Sequence, residues 1–168
     1  MNEEIIIAAG CFWGVEKLYK ELSGVIDTEV GYLGGSATDP TYEQICNANT
    51  GHYEAVKITF DHSVINLKEI LKYFFTLHDP TQTNGQHNDI GDQYMSAIFV
   101  TSKQQRDIAQ NLIDKINDMK VFSKKIATKI IDQPVFYVAE QYHQDYLDKL
   151  PDGYMCHYIS KKIDLDQL

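Results

Sequence analysis

Five apolar residues, Ile5-Ile6-Ile7-Ala8-Ala9, run into Gly10-Cys11-Phe12-Trp13-Gly14 and then into the helical pattern Val15-Glu16-Lys17-Leu18-Tyr19. An unbroken apolar run of strand length has to lie buried, and the glycine after it marks the turn into a helix. The reading is a strand over Ile5 to Ala8 and a short helix over Val15 to Leu22, stopped by Ser23-Gly24. A thiol at such a joint meets the positive end of the helix dipole and unpaired amides, both of which favour thiolate. Cys11 therefore reads as a reactive nucleophile rather than a small buried core residue, with Phe12 and Trp13 walling a pocket beside it.

The remaining elements follow from periodicity. Strands are expected over Val25 to Tyr32, Tyr53 to Phe60, Tyr94 to Val100 and near Lys129 to Asp132. Asn66-Leu67-Lys68-Glu69 has the form of a capping box, and Leu67, Ile70, Leu71, Phe74 and Phe75 repeat at helical spacing towards His78. Ser102 caps a second amphipathic helix that buries Ile108, Leu112, Ile113, Ile116 and Met119, and a last helix is expected over Ala139 to Leu147. Two polar, turn-rich stretches, Gly34 to Gly51 and Asp79 to Gln93, are longer than the connections of most compact domains and are candidate rims of a site. There is no internal repeat and no linker, so the expectation is one α+β domain, a mixed sheet packed by helices, over 1–168, with a less regular tail over 151–168.

Composition removes several function classes. The net charge of −9 disfavours nucleic acid and anionic membrane, and Arg106 is the only arginine, so forked phosphate recognition is nearly lost. No apolar run is long enough to span a bilayer, and Asn2, Glu3 and Glu4 stand where a signal peptide would be basic. Cys11, Cys46 and Cys156 are odd in number, widely spaced and without a metal-ligand pair. That pattern suits a reducing cytoplasm and catalytic thiols better than a disulfide scaffold or a metal site.

Strand parity singles out one acid. Glu54, Val56, Ile58 and Phe60 share a face of the third strand, whereas Lys57, Thr59 and Asp61 share the other. A carboxyl on an apolar face with few cations to pair with keeps its proton to a higher pH than usual, and beside a nucleophile it reads as a proton donor.

Gly10-Cys11-Phe12-Trp13-Gly14, Gly31-Tyr32-Leu33-Gly34-Gly35, Asp39-Pro40-Thr41-Tyr42, Gly51-His52-Tyr53-Glu54-Ala55-Val56, His78-Asp79-Pro80-Thr81-Gln82 and Asn88-Asp89-Ile90-Gly91-Asp92-Gln93-Tyr94 together resemble the peptide methionine sulfoxide reductase A family, in order, from about residue 5 to residue 150. The resemblance implies that family's compact α+β fold with a ferredoxin-like core, and a monomeric enzyme. It further implies reduction of the S epimer of methionine sulfoxide, free or in proteins, without a bound cofactor and with thioredoxin as the recycling reductant. Carried over by position, it places the nucleophile on Cys11, the methyl-binding aromatics on Phe12 and Trp13, the proton donor on Glu54, the oxygen-holding hydroxyls on Tyr42 and Tyr94, and a substrate-orienting acid on Asp89. Cys156 is the expected resolver of a Cys11 sulfenic acid, with Cys46 or an external thiol as the alternatives. The chain departs from the family where His87 precedes Asn88, where Met95 follows Tyr94, and at Gly85. Its tail, Gly153-Tyr154-Met155-Cys156-His157-Tyr158, is not the glycine-rich one of many members, and Cys156 is displaced by one residue.

Three other classes compete on the same residues. A low-molecular-weight phosphatase needs an arginine six residues past its cysteine, where Lys17 stands. A Cys-His hydrolase would draw on His52 or His78, both read as structural, and would leave Glu54 without a task. A non-enzymatic module could cage a methionine-like ligand with Phe12, Trp13, Tyr42 and Tyr94.

Overall fold

The computed structural model describes residues 1–47 and 49–168. In chain order the elements are β1 (Asn2–Ala9), α1 (Phe12–Lys20), β2 (Val25–Leu33), α2 (Tyr42–Asn47), β3 (Tyr53–Asp61), α3 (Leu67–Thr76), β4 (Gly85–Gln86), β5 (Asp89–Ile90), β6 (Ser96–Val100), α4 (Lys103–Met119), β7 (Lys129–Asp132), β8 (Tyr137–Val138) and α5 (Tyr146–Lys149). Six strands form one mixed sheet in the order β7-β6-β1-β3-β2-β8, in which the β6–β7 pair is parallel and the others antiparallel.

The apolar run explains the position of β1 at the middle of this sheet. Ile5, Ile7 and Ala9 face the main core, which Phe12, Val15 and Tyr19 of α1 and the apolar faces of α3 and α4 complete. Ile6 and Ala8 face a smaller cluster with Leu33, Tyr53, Ala55, Ala97 and Phe99. A strand buried on both faces cannot alternate polar with apolar residues, and β1 does not from Ile5 onward. The capping box forms as expected, Asn66 Oδ1 accepting from Glu69 N and Glu69 Oε2 from Asn66 N, each at 2.9 Å. Ser102 Oγ accepts from Gln105 N at 3.1 Å at the start of α4. Ile108 and Met119 are only partly buried, at the margin of the core they were expected to enter.

Three boundaries differ from expectation. The first helix starts at Phe12, so Cys11 is its N-cap residue rather than part of a preceding turn. Tyr94 ends a short 3₁₀ turn, Asp92–Tyr94, and the strand begins only at Ser96. No helix spans Ala139 to Leu147; the chain makes a 3₁₀ turn at Gln141–His143 and a single turn of helix in α5. The reason lies on the open edge of β2. Ala139 N donates to Val30 O, Gln144 Oε1 accepts from Val30 N at 2.9 Å, and Gln144 Nε2 donates to Val30 O at 2.9 Å. Satisfying that sheet edge outweighs a helix with few aliphatic residues to bury.

Candidate active site

Cys11 sits where β1 hands over to α1, and its neighbour from β3 is Glu54, which is 1% exposed. The register that sets Ile7 opposite Val56 carries Glu54 to the end of β1, on the side that α1 covers. Glu54 Oε1 accepts the first amide of the helix, Phe12 N, at 3.3 Å. Glu54 Oε2 is buried and has no hydrogen-bond partner among the described residues. Burial dominates over the Phe12 amide and pushes the Glu54 carboxyl up to about 8, so the group carries a proton at neutral pH.

The expected Cys11 thiolate is not what this arrangement favours. The hydrogen bond to Cys156, burial and the nearby charge of Glu54, in that order, push the Cys11 thiol up, while the same bond to Cys11 leads the influences that hold Cys156 low. The coupling thus favours the thiol form of Cys11 and the charged form of Cys156. The Phe12 amide goes to Glu54, and the Trp13 amide, which still donates to Cys11 and pulls its thiol down, is outweighed by the groups that push it up.

Around this pair the other expected residues gather. Phe12 is fully buried, its ring 5.7 Å from Tyr32 and 5.1 Å from His143. Trp13 lies flat on Tyr146 at 3.9 Å and donates its indole N–H to His143 Nδ1 at 2.9 Å. Tyr42 opens α2 with its ring 6.5 Å from Trp13. Tyr42 and Tyr94 both feel the charge of Glu54, and burial keeps both phenols protonated well above the usual range. Asp89 is present, but its carboxylate faces the tail: Tyr154 Oη donates to it at 3.2 Å and Cys156 Sγ is 3.5 Å from Oδ2. Of the two remaining cysteines, Cys156 meets Cys11, and Cys46 is exposed beside the Tyr42 hydroxyl.

His52 and His78 stand apart, as structural groups. His52 Nδ1 accepts from Gly35 N at 3.1 Å and its Nε2 lies 2.7 Å from Ala37 O. His78 bridges Phe74 O and Ser96 Oγ at 2.8 Å each. Among the described residues no group of three or more His, Cys, Asp or Glu side chains converges as a metal site requires.

Four contributors escape the sequence reading. His143, fully buried, orients Trp13; Tyr146 stacks on it; Glu140 accepts from Tyr42 N at 2.9 Å and from the Tyr32 hydroxyl at 3.0 Å; His157 lies against the Cys11 turn. Three of them belong to the segment read as a helix. The signal there was a run of tyrosine, histidine, acid and amide from Glu140 to Tyr146 with no aliphatic residue, a poor face for a packed helix.

The model of the peptide methionine sulfoxide reductase family matches residues 3–167 of this chain. The chain belongs to the peptide methionine sulfoxide reductase family. A relative named probable peptide methionine sulfoxide reductase from Schizosaccharomyces pombe is 46% identical over 155 residues, covering 90% of this chain and 91% of that one. The solved structure of Mxr1 from Saccharomyces cerevisiae in reduced form superposes with a TM-score of 0.84 at 36% identity, covering 95% of this chain and 93% of Mxr1. Mxr1 has also been solved in complex with Trx2, in a form that matches with a TM-score of 0.58 at 25% identity, over 95% of this chain and 91% of that one. The reductase fold thus extends from β1 through the irregular tail.

Proposed function

We propose that this chain reduces the S epimer of methionine sulfoxide, in peptides and as the free amino acid, and that thioredoxin returns it to the dithiol form in the cytoplasm, the enzyme acting as a monomer over a single catalytic domain. The observation that carries the reading is Glu54: a buried, protonated carboxyl near the Cys11 thiol whose one oxygen is tied to Phe12 N and whose other has no hydrogen-bond partner among the described residues. A sulfoxide is polarised towards oxygen, and its sulfur becomes electrophilic once that oxygen is protonated.

In this mechanism the substrate methyl lies against Phe12 and Trp13, and the Tyr42 and Tyr94 hydroxyls donate to the oxygen, with Asp89 helping to orient the substrate. Cys11 Sγ attacks the sulfur and its proton passes to Cys156, while Glu54 gives its own proton to the oxygen. A Cys11–methionine S–S bond forms as the S–O bond breaks and hydroxide departs; that hydroxide then attacks Cys11 Sγ, the S–S bond breaks, and methionine leaves with Cys11 as the sulfenic acid. Two protons enter, and they end on the sulfenic acid and on the Cys156 thiol. Cys156 then displaces water from Cys11, forming a disulfide that a dithiol protein reopens by exchange. The free thiols, and the complex that Mxr1 forms with Trx2, support that last step.

The test is turnover of each epimer of a methionine sulfoxide peptide with dithiothreitol. Reduction confined to the S epimer is expected, and reduction of both or neither sinks the proposal. Peptide mapping of the enzyme after one turnover without reductant should show Cys11 bridged to Cys156; a bridge to Cys46, or a lasting sulfenic acid, removes Cys156 from the resolving role.

A further inference from the structure

The tail after α5 has little regular structure, yet His157 within it is 3% exposed. Its imidazole lies across the β1–α1 joint. Nε2 is 2.6 Å from Ala9 O, and a carbonyl only accepts, so Nε2 carries a hydrogen. The other nitrogen, Nδ1, is 3.3 Å from Cys156 Sγ. Gly14 makes room for this ring: a Cβ there would stand 2.6 Å from Nδ1. Gly14 has ordinary helical backbone within α1, so the ring, and not a turn, is what requires glycine there.

We propose that His157 is the general base of the resolving step, its Nδ1 taking the Cys156 proton while its Nε2–H holds the tail to Ala9 O. The inference rests on the reading that Cys156 resolves Cys11. In the resting enzyme Cys156 needs no base, because the Cys11 hydrogen bond leads the influences that keep its sulfur charged. The attack on the sulfoxide ends that arrangement by delivering the Cys11 proton to Cys156, which becomes a neutral thiol beside the sulfenic acid. A neutral thiol is a poor nucleophile. His157 takes the proton, the Cys156–Cys11 S–S bond forms as the S–O bond of the sulfenic acid breaks, and the departing hydroxide recovers one proton and leaves as water. The sum is thiol plus sulfenic acid giving disulfide plus water, with no outside oxidant.

The groups facing this pair are Cys11 and Glu54 from the joint and β3, Asp89 and Tyr154 across the tail, and His78 behind the imidazole. Asp89 Oδ2 is the competing acceptor for the thiol hydrogen, but it is the longer contact at 3.5 Å and already receives Tyr154 Oη. A carboxylate is also a weaker base than an imidazole, whose ordinary proton affinity is matched to neutral pH.

The test is single-turnover rapid quench with a methionine sulfoxide peptide and no reductant, following methionine, the dimedone-trapped Cys11 sulfenic acid, and the disulfide from pH 6 to pH 9.5. His157→Gln keeps an N–H for Ala9 O and loses the base. Its methionine burst is expected within about threefold of wild type, with disulfide formation slower by about 100-fold at pH 6.5, the deficit of thiolate for a thiol of ordinary acidity near 8.5. The deficit closes to within about fivefold at pH 9.5, where such a thiol ionises unaided. A wild-type disulfide rate at pH 6.5, or a deficit that is the same at every pH, overturns the proposal. If the substitution also removes the burst, His157→Gly with added imidazole decides it: disulfide formation that tracks the neutral imidazole fraction supports the base, and no rescue overturns it. A wild-type enzyme that never bridges Cys11 to Cys156 fails at the earlier step and takes the resolver reading down with it.

Discussion

The two halves of the site are built differently. Cys11, Phe12, Trp13 and Glu54 stand on β1, α1 and β3, where ladder hydrogen bonds and a fully buried core fix the backbone on both sides of the reacting atoms. His143, Tyr146, Cys156 and His157 stand on chain with little regular structure, held by side-chain contacts such as Trp13 Nε1 to His143, Asp145 N to Glu16 Oε1 at 2.7 Å and the Lys20 pairs with Asp145 and Asp148, and by isolated backbone bonds such as Ser160 N to Thr76 O at 2.7 Å. The difference matches the work assigned to each. Attack at sulfur requires alignment held to fractions of an ångström, which a sheet and helix supply. Resolution requires two cysteines to close to disulfide distance and then to be offered to a large dithiol protein, which a segment held by side-chain contacts rather than ladder bonds permits.

The largest test of that division is at the joint. Cys11→Ser should reduce turnover to the level without enzyme, a loss of about four orders of magnitude or more, because no other sulfur on the rigid half can attack. Peptide binding measured calorimetrically should survive. A binding module would keep its biological effect in that variant, so persistence of the effect without turnover breaks the enzymatic reading.

Glu54→Gln comes next, with the chemical step slowed by about two to four orders of magnitude, the range for loss of a positioned general acid. The pH profile sharpens this. Burial raises the Glu54 carboxyl to about 8, and the acid works only while protonated, so kcat/KM of the wild type should hold through neutral pH and fall as pH rises past about 8. The glutamine variant should lose that alkaline limb. A limb unchanged by the substitution assigns it to another group.

Trp13→Phe probes the seam between the halves. It removes the hydrogen bond to His143 Nδ1, leaving both nitrogens of a fully buried imidazole without partners among the described residues, since Nε2 has none there. A loss of about 1–3 kcal/mol in folding stability is expected from the unpaired nitrogen, read by urea denaturation. The smaller ring should raise KM by about 5- to 30-fold through about 1–2 kcal/mol of lost methyl contact, with kcat changed much less. An equal fall in kcat with KM unmoved would show that the indole acts in the transition state rather than in binding.

Sequence legibility divides along the same line. The strand-to-helix joint was readable because a five-residue apolar run and two glycines leave few alternatives, and Glu54 because a carboxyl breaks the parity of an otherwise apolar face. The protonation of Cys11 lies beyond local dipole reasoning, which has no means of knowing that burial and Cys156, 145 residues away in the chain, outweigh the Trp13 amide. His143, Tyr146 and Glu140 were hidden because their positions depend on Gln144 completing the β2 edge, a side-chain-to-backbone pairing with no periodicity to betray it. The purpose of Gly14 was likewise invisible, because what fills its missing side chain is a residue of the tail.

Gly14→Ala gives the smallest effect on stability and the most selective one on function. A methyl there would lie 2.6 Å from His157 Nδ1 and 3.0 Å from Met155 Sδ, so the imidazole must leave its seat. Alanine favours the helix by about 1 kcal/mol over glycine, which offsets most of the packing lost when the tail lifts, and the net change in unfolding free energy should stay within about 1 kcal/mol of zero. Function should divide. Cys156 serves the methionine burst only as acceptor of the Cys11 proton, so the burst should slow by about tenfold at most, whereas disulfide formation loses both the attacking sulfur and its base and should slow by about 100-fold or more, the scale of losing a positioned general base. Limited proteolysis over residues 150–160 should quicken in parallel. An alanine variant with normal disulfide formation and an equally protected tail would mean that the glycine serves the joint itself, and that the two halves of the site are less separable than their construction implies.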